Sequence, residues 1–435
     1  MLQRYLGNKS SLTPDIIEVI SSVAAPGSRI CDAFAGSLAV SFALKKAGYI
    51  VSANDINLLS WIYGTAFLAS DSLPEISLVA CFGGGAENVR TRGRIALAGN
   101  IYEANGWDRV ASVEEVSDWA GIISSLYEEY SESDIPVAAR RKDFHDHYCE
   151  DGAKSRFESS RGTSGNRRYL SPSNAAAVDR AMSRIRFWTR NEIISTQARC
   201  VLTAIVLDSV EKVANIQGTY HDFPRDFYDP RALKPILALL PDPQIFSEGP
   251  PAAEIGKALD SLEFMKTVQP HDVLYLDPPY NFRQYTSYYF LPNLIAEYPD
   301  IDDLDDYFSK VKFVRGQNMS SEFSSTFCSS ASFLPSLRQL VQSSPCDYVV
   351  LSYFNGKNHW NSFKSGTCNR GREELENFFA SSLFEPDSMS VVPVTRLNYQ
   401  SYGGHRALEV SEYLFLARKS RNLTNQVERV EHALV

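Results

Sequence analysis

Two spacings of apolar residues run along this chain. Short apolar runs predict strands at Ser28 to Phe34, Tyr49 to Ala53, Asp272 to Leu276, Asp347 to Tyr353, Ser390 to Leu397 and Glu412 to Ala417, of which Asp272 to Leu276 reads as a clean buried strand. Apolar residues at helical spacing predict a helix from Leu38 to Ala47, stopped at Gly48, and more helix from about Asn174 to Val213. The first strand, the turn Ala35-Gly36-Ser37, the helix and a second strand ending at Asn54-Asp55 follow the βαβ grammar of a nucleotide-binding sheet. The last two runs suit the antiparallel edge of a mixed sheet. From about residue 80 to 190 the periodicity weakens. Gly83-Gly84-Gly85, the alternation of Arg90, Arg92 and Arg94, and the Ser/Gly/Arg stretch from Ser159 to Gly165 read as loop, inserted between two halves of the sheet domain. The expected boundaries are therefore 1–79 and 196–420 for a divided α/β domain, 80–195 for the insert and 421–435 for a polar tail that suits a loose helix.

Composition narrows the class. A chain of 435 residues with 44% hydrophobic and 22% charged residues is neither disordered nor fibrous. It has no apolar run long enough to cross a membrane, and its first residues, MLQRYLGNKSSL, lack the apolar stretch of a secretory signal. Seven cysteines without a CxxC pair point to a reduced, cytoplasmic protein. Cys31, inside a buried strand, reads as core. A net charge of −9 argues against a protein that coats nucleic acid. Yet between Arg140 and Arg190 there are twelve Arg and Lys against six Asp and Glu, with Phe157, Tyr169, Phe187 and Trp188 interleaved. That segment suits a surface tracking phosphates, with a solvated helix face as the alternative.

Candidate chemistry centres on Asp277-Pro278-Pro279-Tyr280, directly after the strand Asp272 to Leu276. The tetrapeptide should arise by chance about once in several hundred chains of this length. Ligands of open α/β sheets bind at the carboxyl ends of strands. A rigid Pro-Pro turn is the purely structural alternative. The functional reading follows from the residue types. An exocyclic nucleobase amine is a poor nucleophile because its lone pair is delocalised into the ring. The Asp277 carboxylate and the Pro278 carbonyl could accept its two N–H bonds, and proline brings no competing donor. Tyr280 offers a face on which an extruded base can stack. Rate would come from positioning and from stabilising positive charge on nitrogen. A second element, Asp32-Ala-Phe34-Ala-Gly36-Ser37, places a glycine turn at a strand end, and Asp55 at the next strand end could accept ribose hydroxyls. A third is Arg4-Tyr5-Leu6-Gly7-Asn8-Lys9, where Lys9 can pair with a carboxylate and Tyr5 can pack on a ring.

With these elements in this order the chain resembles the Dam-like, alpha-group adenine-specific DNA methyltransferases. An N-terminal aromatic-x-Gly-x-Lys element, FxG, a target-recognition domain and DPPY correspond to Tyr5 to Lys9, Phe34 to Gly36, the insert and Asp277 to Tyr280. The likeness runs on through Lys212 to Tyr220, Asn281 to Tyr285, Arg406 and Glu412-Tyr413-Leu414. It implies a Rossmann-like mixed α/β sheet of the S-adenosylmethionine-dependent methyltransferase fold. It also implies methyl transfer to N6 of an adenine flipped from duplex DNA. The donor would be S-adenosylmethionine, held by Tyr5, Lys9, Asp32, Phe34, Gly36, Asp55 and Asp277. Asp277, Pro278, Pro279 and Tyr280 are the candidate catalytic residues, and no metal is expected. Many members carry a second glycine where Leu38 stands, and a helix beginning at Leu38 needs no positive φ. Arg140, Arg141, Arg167, Arg168 and Arg184 are the candidate DNA contacts.

Other features are less specific. His145, His147 and Cys149 alternate, but no second cluster completes a tetrahedral site, so surface polarity or DNA-backbone contact is expected. His221 and Asp222 suit either the cleft or a polar loop. The expected partners are duplex DNA and a cognate restriction enzyme, with the protein a monomer or weak dimer and not membrane-bound. Two other readings are an RNA-base methyltransferase and a non-enzymatic DNA-binding protein with a degenerate donor pocket, the latter motivated by Leu38.

Overall fold

The structure, a computed structural model, describes residues 5–97, 105–132, 134–160, 162–246, 249–355, 358–360, 369–397 and 409–420. Arg4, Arg406 and the helix expected of the polar tail lie outside them. The chain forms two compact units. One comprises Gly7–Trp61, Glu248–Tyr285 and Phe323–Val435; the other comprises Met1–Leu6, Ile62–Ser247 and Thr286–Glu322. The second unit therefore takes in more chain than the 80–195 expected of the insert.

Nine strands occur among the described residues: β1 (Arg29–Asp32), β2 (Ile50–Ala53), β3 (Arg156–Glu158), β4 (Ser164–Asn166), β5 (Glu254–Ile255), β6 (Val273–Leu276), β7 (Tyr348–Phe354), β8 (Ser390–Leu397) and β9 (Glu409–Arg418). In the first unit seven of them form one sheet in the order β5-β2-β1-β6-β7-β9-β8. The five from β5 to β7 are parallel, and β9 and β8 add antiparallel to the edge. From β1 the chain runs outward to β2 and later returns on β1's other side as β6. Strand order thus reverses between β1 and β6, where diverging turns leave a crevice at the carboxyl ends.

Side chains alternate across the sheet with a period of two. On one face Cys31, Leu274, Leu276, Leu351, Tyr353, Tyr413 and Phe415 join Phe333, Leu337, Leu340, Leu375 and Phe378 in a single buried cluster. Those partners stand on the helices Ser330–Ser343 and Arg370–Phe379. The opposite face starts apolar, at Ile30, Val273 and Val350, and turns polar toward the carboxyl ends at Asp32, Tyr275, Ser352 and Glu412, all buried. Polar groups placed so deep need partners, and this end of the sheet is where they meet.

The second unit is mainly helical. Ser171 and Ser195 cap the helices Pro172–Arg190 and Thr196–Val213, each side chain accepting from the backbone N–H three residues on. The segment read as loop also holds the helices Ala86–Ala96 and Val113–Ser125 and the short helix Asp143–Tyr148. The crossing of the first two is built on glycine. A Cβ on Gly93 would lie 1.9 Å from the Ser117 carbonyl oxygen, and one on Gly121 2.3 Å from that of Val89. Close packing leaves Ala86–Ala96 with little apolar surface to count, whereas Val113–Ser125 carries a buried stripe of Val116, Trp119, Ala120, Ile122 and Ile123 that the loop reading passed over. Strands β3 and β4 form an antiparallel hairpin that buries only Phe157. The expectation for His145, His147 and Cys149 is corrected in part. His147 is 2% exposed and stacks on Phe308 at 4.5 Å, and Cys149 is fully buried, so both serve the interior.

Candidate active site at the carboxyl ends of the sheet

Strand β6 is buried throughout and stops at Leu276, which delivers Asp277 to the crevice with its side chain 15% exposed. The Lys9 ammonium lies 3.1 Å from Asp277 Oδ1 and also pairs with Glu412 Oε1. Ser352 Oγ donates to the same Glu412 oxygen at 2.9 Å. Adjacent strands set this line. Leu276 of β6 is level with Leu351 of β7, which sets Asp277 beside Ser352; Glu412 of β9 is level with Phe354, two residues on from Ser352 on the same face. Burial by itself lowers the Lys9 pKa; the charges of Asp277 and Glu412 outweigh it and hold the ammonium above the ordinary lysine value. Lys9 also lies 5.9 Å from the ring centroid of Tyr280, which packs on Phe354 at 5.2 Å. Gly7, at φ +77°, brings the N-terminal segment to this corner: a Cβ there would lie 3.6 Å from the Tyr285 hydroxyl.

The turn after β1 supplies the neighbouring wall. Asp32 is 1% exposed, and its Oδ2 accepts from Ser41 Oγ at 2.6 Å. Its Oδ1 has no hydrogen-bond partner among the described residues, nor has Asn54 Oδ1 at the end of β2. The Gly36 N–H donates to Asp55 Oδ2 at 2.9 Å, and Asn57 donates to Asp55 Oδ1 through its backbone and side-chain nitrogens. Asp55 therefore ties the β1 turn to the end of β2, and its pKa is raised, by burial, against the pull of those N–H groups. Phe34 meets Phe327 edge-on at 4.9 Å. Leu38 is a correction: it caps the following helix in the left-handed region at φ +64°, so the turn does use a positive φ at this position. The conformation costs a non-glycine residue about 1–2 kcal/mol. Burial of the leucine, 1% exposed, contributes about 1.5–3 kcal/mol in return.

Burial, reinforced by Asp277 and Asp55 and opposed by Ser41, pushes the Asp32 carboxyl up to about 7. An unfolded aspartate loses its proton near 3.9. Between those values the folded chain holds the extra proton, so this group's contribution to stability falls as pH rises toward 7 and stays low above it. Asp32→Asn abolishes that slope. Urea unfolding at pH 5 and pH 8 should show the variant gaining on the parent by about 3 kcal/mol between the two. Parallel pH profiles for the two proteins would refute the assignment.

Tyr5 belongs to the other unit, where its ring stacks on Tyr289 at 4.6 Å and the Leu6 N–H donates to the Tyr289 hydroxyl. In that unit the arginines divide. Arg184 and Arg167 are each 1% exposed, which corrects their expected place on a DNA-facing surface. Arg184 is paired with Asp134, whose side chain is 3% exposed. Arg167 donates to the carbonyls of Phe313, Val314 and Lys154. Arg140, Arg141 and Arg168 are half-buried; Arg141 pairs with Asp143 and Asp305, and Arg168 with Glu150. Lys142, Lys154 and Arg156 are exposed. His221 stacks on Tyr288 at 4.3 Å, and its Nδ1 accepts from Arg315 at 2.7 Å.

Among the described residues no helix is long and apolar enough to cross a membrane. In sequence comparison, the D12 class N6 adenine-specific DNA methyltransferase model matches residues 5–63 and 183–362, more than half the chain. The type II methyltransferase M.NlaIII of Neisseria lactamica is 31% identical over 195 residues, covering 45% of this chain and 53% of its own. The type II methyltransferase M.FokI of Planomicrobium okeanokoites is 26% identical over 60% of this chain and 36% of its own. The modification methylase StsI of Streptococcus sanguinis is 22% identical over 97% and 53%. The chain thus spans about a third to a half of the length of these relatives.

Proposed function

The chain belongs to the D12 class of N6 adenine-specific DNA methyltransferases, and from that premise we propose that it methylates N6 of an adenine extruded from duplex DNA, using S-adenosylmethionine. The observation that carries this reading is the Asp277-Pro278-Pro279-Tyr280 corner at the reversal of strand order, with Asp277 in contact with Lys9. The residues fit the donor. Two buried acceptor oxygens with no hydrogen-bond partner among the described residues lie at the ends of β1 and β2, on Asp32 and on Asn54, the latter against Gly256. They suit a ligand rich in N–H and O–H donors. Asp32, Phe34, Gly36, Asp55, Lys9 and Asp277 would hold it, and when bound it supplies a methyl group on a positively charged sulfur.

The chain's own groups do the rest. The Asp277 carboxylate and the Pro278 carbonyl accept the two amine N–H bonds, which frees the nitrogen lone pair. Their negative charge and dipole stabilise the positive charge that develops on nitrogen, and the Asp277 carboxylate takes the departing proton. Tyr280 gives the base a stacking face. For DNA, exposed Lys142, Lys154 and Arg156, the last on the β3–β4 hairpin, with half-buried Arg140, Arg141 and Arg168, support backbone contact by the second unit. This part lies mostly outside the blocks matched by the family, as a target-recognition segment would. Two of the relatives are named type II methyltransferases and a third a modification methylase; a modification role beside a cognate restriction enzyme is proposed here too, with the protein acting as a monomer or weak dimer.

The test is incubation of the purified chain with labelled donor and either duplex DNA or RNA, followed by sequencing of DNA from expressing cells with a method sensitive to N6-methyladenine. Label in DNA at one recurring adenine context is the expected result. Label confined to RNA, or none in either, defeats the proposal.

A further inference from the structure

We infer that Glu412 is a positioning residue that sets the charge of the site, neutralising Lys9 so that the Lys9–Asp277–Glu412 trio keeps a net negative charge toward a cationic methyl donor. The inference rests on the methyl-donor reading above.

Structure alone does not ask for a carboxylate at this place. Glu412 is 0% exposed on β9, and the next two residues on its face of the strand, Leu414 and Leu416, are apolar. Taking an ionised carboxylate out of water is costly, and a hydrophobe of similar volume generally serves a sheet as well. What Glu412 does is local. It pairs with Lys9, which is 4% exposed, and Ser352 fixes the oxygen that receives the lysine. Lys9 in turn reaches Asp277. Two carboxylates and one ammonium leave the trio at −1.

Removing the Glu412 charge changes two things. The trio becomes neutral, so the attraction offered to a sulfonium and to a positive charge growing on nitrogen is lost. Lys9 is also left with Asp277 as its main counter-charge, which draws the carboxylate toward the ammonium and away from an incoming amine. The buried Tyr275 hydroxyl reports the same crowding of acids: burial raises its pKa first, and Asp277, Asp32 and Glu412 raise it further.

The donor and its product differ at one atom in charge, since S-adenosylhomocysteine carries a neutral sulfur. Calorimetric titration of the full chain with each ligand separates a charge effect from a packing effect. Glu412→Gln should weaken S-adenosylmethionine binding at least tenfold more than S-adenosylhomocysteine binding. The double variant Lys9→Met with Glu412→Gln removes one charge of each sign and returns the site to −1. Its ratio of donor to product affinity should return to that of the parent, whatever the absolute affinities. The double variant also decides the matter if Glu412→Gln does not fold, because it strands no ammonium. Equal losses for both ligands in the single variant, or a ratio that stays shifted in the double variant, would overturn the inference. A parent protein that binds neither ligand defeats the methyl-donor reading instead, a separate and recognisable outcome.

Discussion

Asp277→Ala is expected to give a folded protein that transfers methyl groups about 10³-fold more slowly, or worse. The size follows from the two tasks assigned to the carboxylate. A positioned proton acceptor is worth about 10²–10⁴ in rate, and a preorganised charge facing one that develops in the transition state is worth a similar factor. The fold should survive because Asp277 is partly exposed, and because Lys9 keeps Glu412 as a partner when Asp277 is gone. No buried ammonium is stranded. Asp277→Asn is the sharper companion: it retains an acceptor oxygen but not the charge, so it should fall between alanine and the parent. The measurement is single-turnover transfer to duplex DNA with saturating donor, beside a circular-dichroism melt. A folded alanine variant turning over near the parental rate would remove Asp277 from the chemistry.

The central sheet was readable because strands buried on both faces make apolar runs, and an acid at a strand end interrupts them visibly; β8, largely exposed at the edge, showed only through its β-branched residues. All six strands expected from such runs are present, within a few residues at each end. The missing seventh, β5, is two residues long at the sheet edge, pairing with β2. Nothing so short can show a period. The site was readable as far as local motifs reach: Asp32, Gly36, Asp55 and Asp277 each announce themselves through neighbours in sequence. Glu412 did not. Its partner Lys9 lies 403 residues away, and within the run Glu412 to Ala417 its carboxylate looks like the polar start of a strand. The available signal was that an acid opening a buried terminal strand must be paired with something.

Leu38 and the arginines failed for a different reason. Sequence reports how many cations a segment carries but not where their charges point. The excess between Arg140 and Arg190 contains exposed side chains, half-buried ones with acidic partners, and two in the interior. Leu38 shows the converse, a backbone position demanded by the turn and filled by a residue whose burial offsets the strain.

The division among the arginines leads to the second large effect. Arg184→Ala should cost about 3–5 kcal/mol of stability, the usual result of breaking a buried ion pair by deleting one partner. Arg184 Nε and Nη2 donate to Asp134, its Nη1 donates to the Leu126 carbonyl at 2.8 Å, and its guanidinium lies 4.7 Å from the Tyr130 ring centroid. Alanine leaves the Asp134 carboxylate enclosed without its counter-charge, a carbonyl without its donor, and a void beside the ring. Arg156→Ala supplies the contrast. Its side chain is exposed on the hairpin, so stability should change by less than about 0.5 kcal/mol. If it neutralises a phosphate, the slope of log affinity for DNA against log salt should flatten by about one. Urea unfolding and salt-dependent DNA titration of both variants read these effects independently. A stable Arg184→Ala protein with a flattened salt slope would mean that the guanidinium reaches solvent and DNA after all, and the buried pair would have to be abandoned.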